Sequence, residues 1–188
     1  MGYRYKVISV PAEPISLSEA KTHVRVDTDD EDLYIASLIT AARELVESTI
    51  DRALAPQTLA LYLDTFPPGA IELARPPLQS VTGVSYKDCN GATVTLTPNT
   101  DYLVDADSPT GRIVPAYGKA WPSFTPWPVN PIKVEYSAGT AECPAPIRHA
   151  MLLMVGHMYA NRESGSGEAL RDDAVRNLLA PYRNRWWG

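Results

Sequence analysis

The sequence predicts an α+β fold, mainly α, in which helices from both ends of the chain form one bundle and a central antiparallel β insertion protrudes from it. Apolar residues recur at helical spacing in about 16–53 and again in about 146–180. Between them, over about 56–140, short alternating runs are separated by proline, glycine and asparagine, which is typical of strands. The order is not a βαβ alternation, so we expect one domain over residues 1–188 and no doubly wound parallel sheet.

The first helical segment begins with a capping signal. Ser16 can cap a helix and Glu19, three residues later, can return a hydrogen bond, so a short helix to about Val26 is predicted. Residues 28–31 (TDDE) repeat this logic, because acidic residues are favoured at the positive end of a helix. A long amphipathic helix should follow and end near Ala53, with an apolar face that is more often ordinary core than a groove for a partner.

The middle of the chain is predicted to consist of short strands. Asn90-Gly91 supplies the positive φ angles of a tight turn and indicates a hairpin over 86–92. The candidate strands are 56–64, 70–74, 79–87, 92–97, 101–105, 111–115 and 131–137.

The C-terminal helical segment opens with a strongly apolar helix. Residues 147–159 are apolar nearly all round and include Met151, Met154 and Met158. Such a helix must be buried on several sides, either inside its own domain or between subunits. Residues 164–167 (SGSG) indicate a flexible link to a last helix over about 168–179, before a tail of residues 181–188.

Composition limits the possible partners. The net charge is −5 and no lysine or arginine cluster is long enough to follow a phosphate backbone, which disfavours tight nucleic-acid binding. Mild acidity is compatible with DNA moving past a surface without sticking. With no signal-peptide pattern and no apolar run of membrane-spanning length, we expect a soluble protein made in the cytoplasm, where Cys89 and Cys143 stay free thiols.

Motifs for catalysis, metals or cofactors are missing from the sequence. Gly165-Ser166-Gly167 lacks the preceding strand and the lysine of a phosphate-binding loop. His149 and His157 have no carboxylates at ligand spacing, and no Gly-x-Ser-x-Gly sequence occurs. We therefore predict a protein that is not an enzyme and has no metal, no cofactor and no membrane partner.

A series of segments in a fixed order resembles the gp6-like head-tail connector (adaptor) proteins of tailed bacteriophages. No single segment is specific, but their order and spacing together are. They are residues 11–21 (PAEPISLSEAK), 23–27 (HVRVD), 39–47 (ITAARELVE), 52–54 (RAL), 57–59 (QTL), 76–86 (PPLQSVTGVSY), 111–115 (GRIVP), 121–122 (WP), 134–139 (VEYSAG) and 146–153 (PIRHAMLL).

The resemblance implies a structural virion protein located in the neck and synthesised in the host bacterial cytoplasm. It implies a homo-oligomeric ring, a dodecamer, beneath the portal protein, with a stopper or tail-completion protein on the other side. DNA would pass through the ring without specific binding. Gene transfer agents and defective prophages carry similar proteins.

Two groups of residues are candidate contacts in such a ring. Arg183, Arg185, Trp186 and Trp187 have side chains enriched in interfaces, so the tail is expected to dock on the portal or a neighbour, or to fold back on its own bundle. The second group is an aromatic loop over 117–128 that contacts the adjacent subunit or the next ring, or covers the chain's own sheet. Its large side chains are Tyr117, Trp121, Phe124 and Trp127.

Two rival functions are open at this point. Another neck protein, a stopper or tail terminator, would share the ring and the absence of catalysis, and would differ in its partner. A small carbohydrate-binding or hydrolase module built on the β segment would show saturable ligand binding by the monomer.

Overall fold

The fold consists of two compact units of different secondary structure. The computed structural model describes residues 4–9, 11–162 and 172–184. Residues 12–55 and 140–188 make a helical unit, and residues 1–11 with 56–139 make a β unit. About 31% of the described residues are helical and 26% are in strands, which confirms the mixed α+β class. "Mainly α" overstates the helical share, since the inserted segment is rich in strands. That both units form one domain stays a prediction.

Four helices share one core in the helical unit. They are α1 (Leu17–Val24), α2 (Asp32–Ile50), α3 (Ala145–Ala160) and α4 (Asp173–Leu179), followed by a 3-10 turn at Ala180–Tyr182. Helix α3 packs against each of the other three. The buried core residues are Ile15, Ala20, Ile35, Leu38, Ile39, Ala42, Val46, Ile50, Leu54, Ile147, Ala150, Met151, Met154, Val155, Met158, Val175 and Leu179.

The helix starts differ in how they are capped. Ser16 caps α1 as predicted, because its Oγ accepts a hydrogen bond from the Glu19 N–H at 3.1 Å. Residues 28–31 lie at the start of α2, as predicted, and Glu31 is its N-cap residue, but the Glu31 side chain makes no capping hydrogen bond. The acidic side chains have other partners, since Asp29 and Asp32 each lie 2.7 Å from the Lys21 ammonium.

A buried ion network stabilises the helical unit. The Arg43 side chain is only 6% exposed and lies 3.0 Å from the Glu13 carboxylate and 3.3 Å from that of Glu47. Glu47 also accepts a hydrogen bond from the Leu54 backbone N–H at 2.8 Å. This network therefore links the residues before α1 and those after α2 to the middle of α2.

The β unit contains two antiparallel sheets. A five-stranded sheet has the order β1-β2-β8-β4-β5, and a three-stranded sheet has the order β3-β7-β6. Seven of the eight strands lie within two residues of their predicted bounds or inside them, and β1 was not predicted. The strands are β1 (Arg4–Val7), β2 (Gln57–Leu63), β3 (Ile71–Glu72), β4 (Leu78–Lys87), β5 (Thr93–Leu96), β6 (Tyr102–Asp105), β7 (Arg112–Pro115) and β8 (Ile132–Ala138).

The chain leaves the five-stranded sheet after β1, enters it again at β2 and leaves it after β8, all at the same end. After β1, Ser9 accepts a hydrogen bond from the Thr58 N–H at 2.8 Å. Gln57, the first residue of β2, is paired with Ala138, the last residue of β8. The backbone N–H of Gly139 then donates to the Pro77 carbonyl at 2.9 Å. The beginning and the end of the inserted segment are therefore adjacent.

Candidate interaction surfaces

Two aromatic side chains of the aromatic loop (residues 117–128) pack on the chain's own β unit. Trp121 stacks on Phe66 with ring centroids 5.0 Å apart, and its Nε1 donates to the Gly69 carbonyl at 2.7 Å. Phe124 lies 4.4 Å from the ring of Tyr86. Both are half-buried, as expected for rings that cover their own sheet.

The other two aromatic side chains of the loop are accessible. Tyr117 is fully exposed on a tight turn that is closed by a 2.9 Å hydrogen bond from the Lys119 N–H to the Ala116 carbonyl. The Lys119 ammonium also pairs with Asp101 at 2.8 Å, which fixes the turn. Trp127 is 38% exposed. The loop therefore presents Tyr117 outward and leaves Trp127 partly accessible beside Gly91, while Trp121 and Phe124 support it from within.

The C-terminal tail follows the helical unit as far as it is described. Arg183 is exposed, and the next residue, Asn184, donates its backbone N–H to the Ile50 carbonyl at 2.9 Å. The tail thus returns to the end of α2 before its last four residues. Arg185, Trp186 and Trp187 lie outside the described residues.

The methionines of α3 are covered by their own chain. Met151 and Met154 are fully buried and Met158 is 8% exposed, all within the core of the helical unit. Of the two placements open from the sequence, these side chains occupy the one inside the unit.

A polar cluster joins the end of α3 to the start of α2. The Glu31 carboxylate accepts hydrogen bonds from the Tyr159 hydroxyl and the Arg162 guanidinium. The hydrogen bond from Tyr159, followed by that from Arg162, lowers the pKa of Glu31. The bond to Glu31 raises the pKa of Tyr159, whereas Arg162 acts against this increase. The Arg162 guanidinium also lies 4.9 Å from the ring centroid of Tyr34 and 5.0 Å from that of Tyr159. Residues more than 120 positions apart meet here, which no local sequence signal predicts.

Three further features are the reactivity of the Cys143 thiol, the grouping of possible metal ligands and the character of the helices. Burial raises the pKa of the Cys143 thiol to about 11, so it is protonated at neutral pH and a poor nucleophile. In the described part of the chain, no group of three or more His, Cys, Asp and Glu residues could hold a metal ion. Within the same residues, no helix has the length and apolar character needed to cross a membrane.

Comparison with solved structures shows which known proteins share this fold. The chain is similar in structure to a chain in the neck of an empty GTA (gene transfer agent) particle computed with C6 symmetry, with a TM-score of 0.79, 19% identity and 98% of each chain covered. A chain of the native gene transfer agent virion matches with a TM-score of 0.76, 20% identity and the same coverage. A chain in the native GTA neck computed with C12 symmetry matches with a TM-score of 0.70 and 21% identity over 97% of this chain and 98% of that one.

These structural neighbours, like the family matched next, are structural phage neck proteins and not enzymes. Residues 14–93 match the model of the Phage gp6-like head-tail connector proteins. This match confirms the resemblance seen in the sequence. A comparison with curated protein sequences found no match.

Proposed function

We propose that this protein is a head-tail connector (adaptor) subunit in the neck of a phage or gene-transfer-agent particle. It joins the portal protein to a stopper or tail-completion protein and forms part of the DNA passage as a homo-oligomeric ring. The single observation that carries this proposal is the family match over residues 14–93, a segment that spans α1, α2 and strands β2 to β4.

Two further observations support the ring and its passage. Chains of the same fold occur in necks computed with C12 and C6 symmetry, and a twelve-membered ring agrees with both. The net charge of −5 leaves little to hold a phosphate backbone, so DNA can move past without specific binding. In this proposal the N- and C-terminal helices form the bundle on which the ring is built.

The test is deletion of the gene in a producing strain, with and without complementation. We expect heads that package DNA, lack tails and lose their DNA, because the passage below the portal is left open. Electron microscopy and protection of the packaged DNA from nuclease measure this. Normal tailed particles from the deletion strain would refute the proposal.

We further propose that the C-terminal tail with Arg183, Arg185, Trp186 and Trp187 contacts the portal or a neighbouring copy. Truncation after Asn184 removes residues 185–188 and keeps the hydrogen bond from Asn184 to Ile50. We expect this variant to fold, by circular dichroism, and to fail in complementation. Full complementation by the truncated protein would refute the proposed contact of the tail.

For the aromatic loop we propose that Tyr117 and Trp127 contact the adjacent subunit or the next ring. Tyr117→Ala should leave the free energy of unfolding unchanged, because the side chain is fully exposed, and should lower the yield of tailed particles. Trp121→Ala is the matched comparison, since it removes a ring stacked within the unit and should lower stability by about 3 kcal/mol. A Tyr117→Ala strain with wild-type particle yield would exclude Tyr117 as a contact.

A further inference from the structure

The two edges of the five-stranded sheet differ in chemistry. Edge strands offer unpaired backbone N–H and C=O groups, and proteins usually protect them with charged residues, proline or short length. Strand β1 is protected in this way by Arg4 and Lys6. Strand β5 and the residues beside it, 92–97 (ATVTLT), carry no charge and no proline, and Val94 is 40% exposed. Within the described residues no strand pairs with the outer side of either edge.

The apolar side chains at the two edges lie on the same face of the sheet. On β1, Tyr5 is paired with Leu61, and Leu61 is fully buried. On β5, Leu96 is paired with the fully buried Val84. Since side chains alternate along a strand, Val94 shares this face with Leu96, and Val7 shares it with Tyr5. One row across all five strands reads Tyr5, Leu61, Val134, Val84, Leu96.

These edge residues are more exposed than apolar side chains in a closed sheet would be. Tyr5 is 37% exposed, Val7 44% and Val94 40%. Each of them lies in the outermost pair of strands on the buried face, and the Tyr5 hydroxyl also accepts a hydrogen bond from the Arg75 guanidinium at 2.8 Å. If a second sheet were placed edge to edge with this one, apolar residues of the two sheets would therefore be adjacent on this face. On the opposite face it would place Arg4 and Lys6 of one sheet beside threonines of the other.

Strand direction decides how two such sheets can join. All four pairings in the sheet are antiparallel, so β1 and β5 of one copy run in the same direction. Copies related by rotation about a ring axis keep that direction, and a junction of β5 with β1 of the next copy is then parallel. This contact uses two different surfaces and can close a ring, whereas β5 paired with β5 would stop at a dimer.

We propose that β5 of one copy pairs in parallel with β1 of a second copy, so that the sheets continue from subunit to subunit around the ring. This inference deepens the proposed function and rests on it. Backbone hydrogen bonds give the contact its affinity, as in other cases of strand addition. The matching faces fix its orientation, since turning the incoming strand over would bring its charges onto the apolar side.

The register of the sheet selects a pair of positions for cross-linking. Arg4 and Thr95 lie in one row across the strands: Arg4, Tyr62, Lys133, Ser85, Thr95. If the row continues in the same register across the junction, Arg4 of one copy lies opposite Thr95 of the next. Neighbouring strands are about 5 Å apart, within reach of a short thiol-to-thiol reagent. A chain carrying Cys89→Ser, Arg4→Cys and Thr95→Cys tests this contact, and Val104→Cys in place of Thr95→Cys is its control.

Strand β6 offers matched controls because it is the edge of the other sheet. Val104 is a valine in a four-residue edge strand and is 40% exposed, as Val94 is. In complemented deletion strains, Val94→Lys should reduce the copies of this protein per particle more than about tenfold relative to Val104→Lys, because the lysine blocks the open edge. Both variants should keep the circular dichroism of the wild type.

Purified particles separate failure of this inference from failure of the proposed function. The cross-linker should produce a ladder of covalent oligomers from the Arg4→Cys, Thr95→Cys chain and only monomer from the control. Particles that contain the protein but give the same monomer band for both chains would overturn the strand junction and leave the connector function standing. Wild-type particles without the protein would overturn the proposed function itself.

Discussion

Arg43 should be the most sensitive charged residue of the helical unit. Its side chain is 6% exposed, and that of its partner Glu47 is 7% exposed. Arg43→Met fills much of the same volume but removes the guanidinium that lies 3.3 Å from the buried Glu47 carboxylate. Removing one partner of a buried pair costs about 3–5 kcal/mol, so we expect the free energy of unfolding to fall by that amount.

The assay is urea unfolding followed by circular dichroism at a helical wavelength, which reports on the helical unit. Arg176→Met is the control, because this arginine is 60% exposed and its pair with Asp173 should contribute less than about 1 kcal/mol. Arg43→Met/Glu47→Gln should recover part of the loss, since glutamine is neutral and can still accept the hydrogen bond from Leu54. An Arg43→Met chain no less stable than Arg176→Met would refute the reasoning.

Two further predictions concern the β unit and the thiols. Gly111 has a φ of +68°, and a Cβ at this position would lie 2.4 Å from the Leu78 Cβ. Gly111→Ala should therefore lower the free energy of unfolding by more than about 2 kcal/mol, whereas Gly69→Ala, where a Cβ meets open space, should change it little. Equal urea midpoints for the two variants would contradict this prediction. With a thiol reagent at pH 8, the exposed Cys89 should react fast, whereas Cys143, whose pKa is about 11, should react only when the protein unfolds. Fast reaction of both thiols in the native protein would show that burial does not protect Cys143.

The sequence predicts the strands well and the helix caps less well, for physical reasons. Proline, glycine and asparagine mark the strand ends directly, as Asn90-Gly91 does for the hairpin between β4 and β5. Strand β1 has no such sequence signal, because all four of its residues are exposed and only its pairing with β2 makes it a strand. The acidic run at 28–31 resembles a cap, yet tertiary partners such as Lys21 take up its charges.

The candidate surfaces are predictable as residue types but not as exposed or buried positions. Trp121 and Tyr117 belong to one loop, and only the structure separates them, because the partner of Trp121 is Phe66, more than 50 residues earlier. The cluster of Glu31, Tyr159 and Arg162 has the same origin. Contacts between distant segments depend on the whole fold, whereas sequence patterns report on neighbours within a few positions.

The shared end at which the chain leaves the five-stranded sheet has a consequence for folding. The helical unit is built from two stretches separated by residues 56–139, so α2 and α3 can pack only after this long segment has brought its ends together. Pairing of Gln57 with Ala138 does so within the sheet, and the helices then behave as if joined by a short link. Loop-closure entropy sets the gain at about 2 kcal/mol. Because that gain depends on the paired ends alone, the turns in between are free to change length and sequence in evolution without loosening the helices.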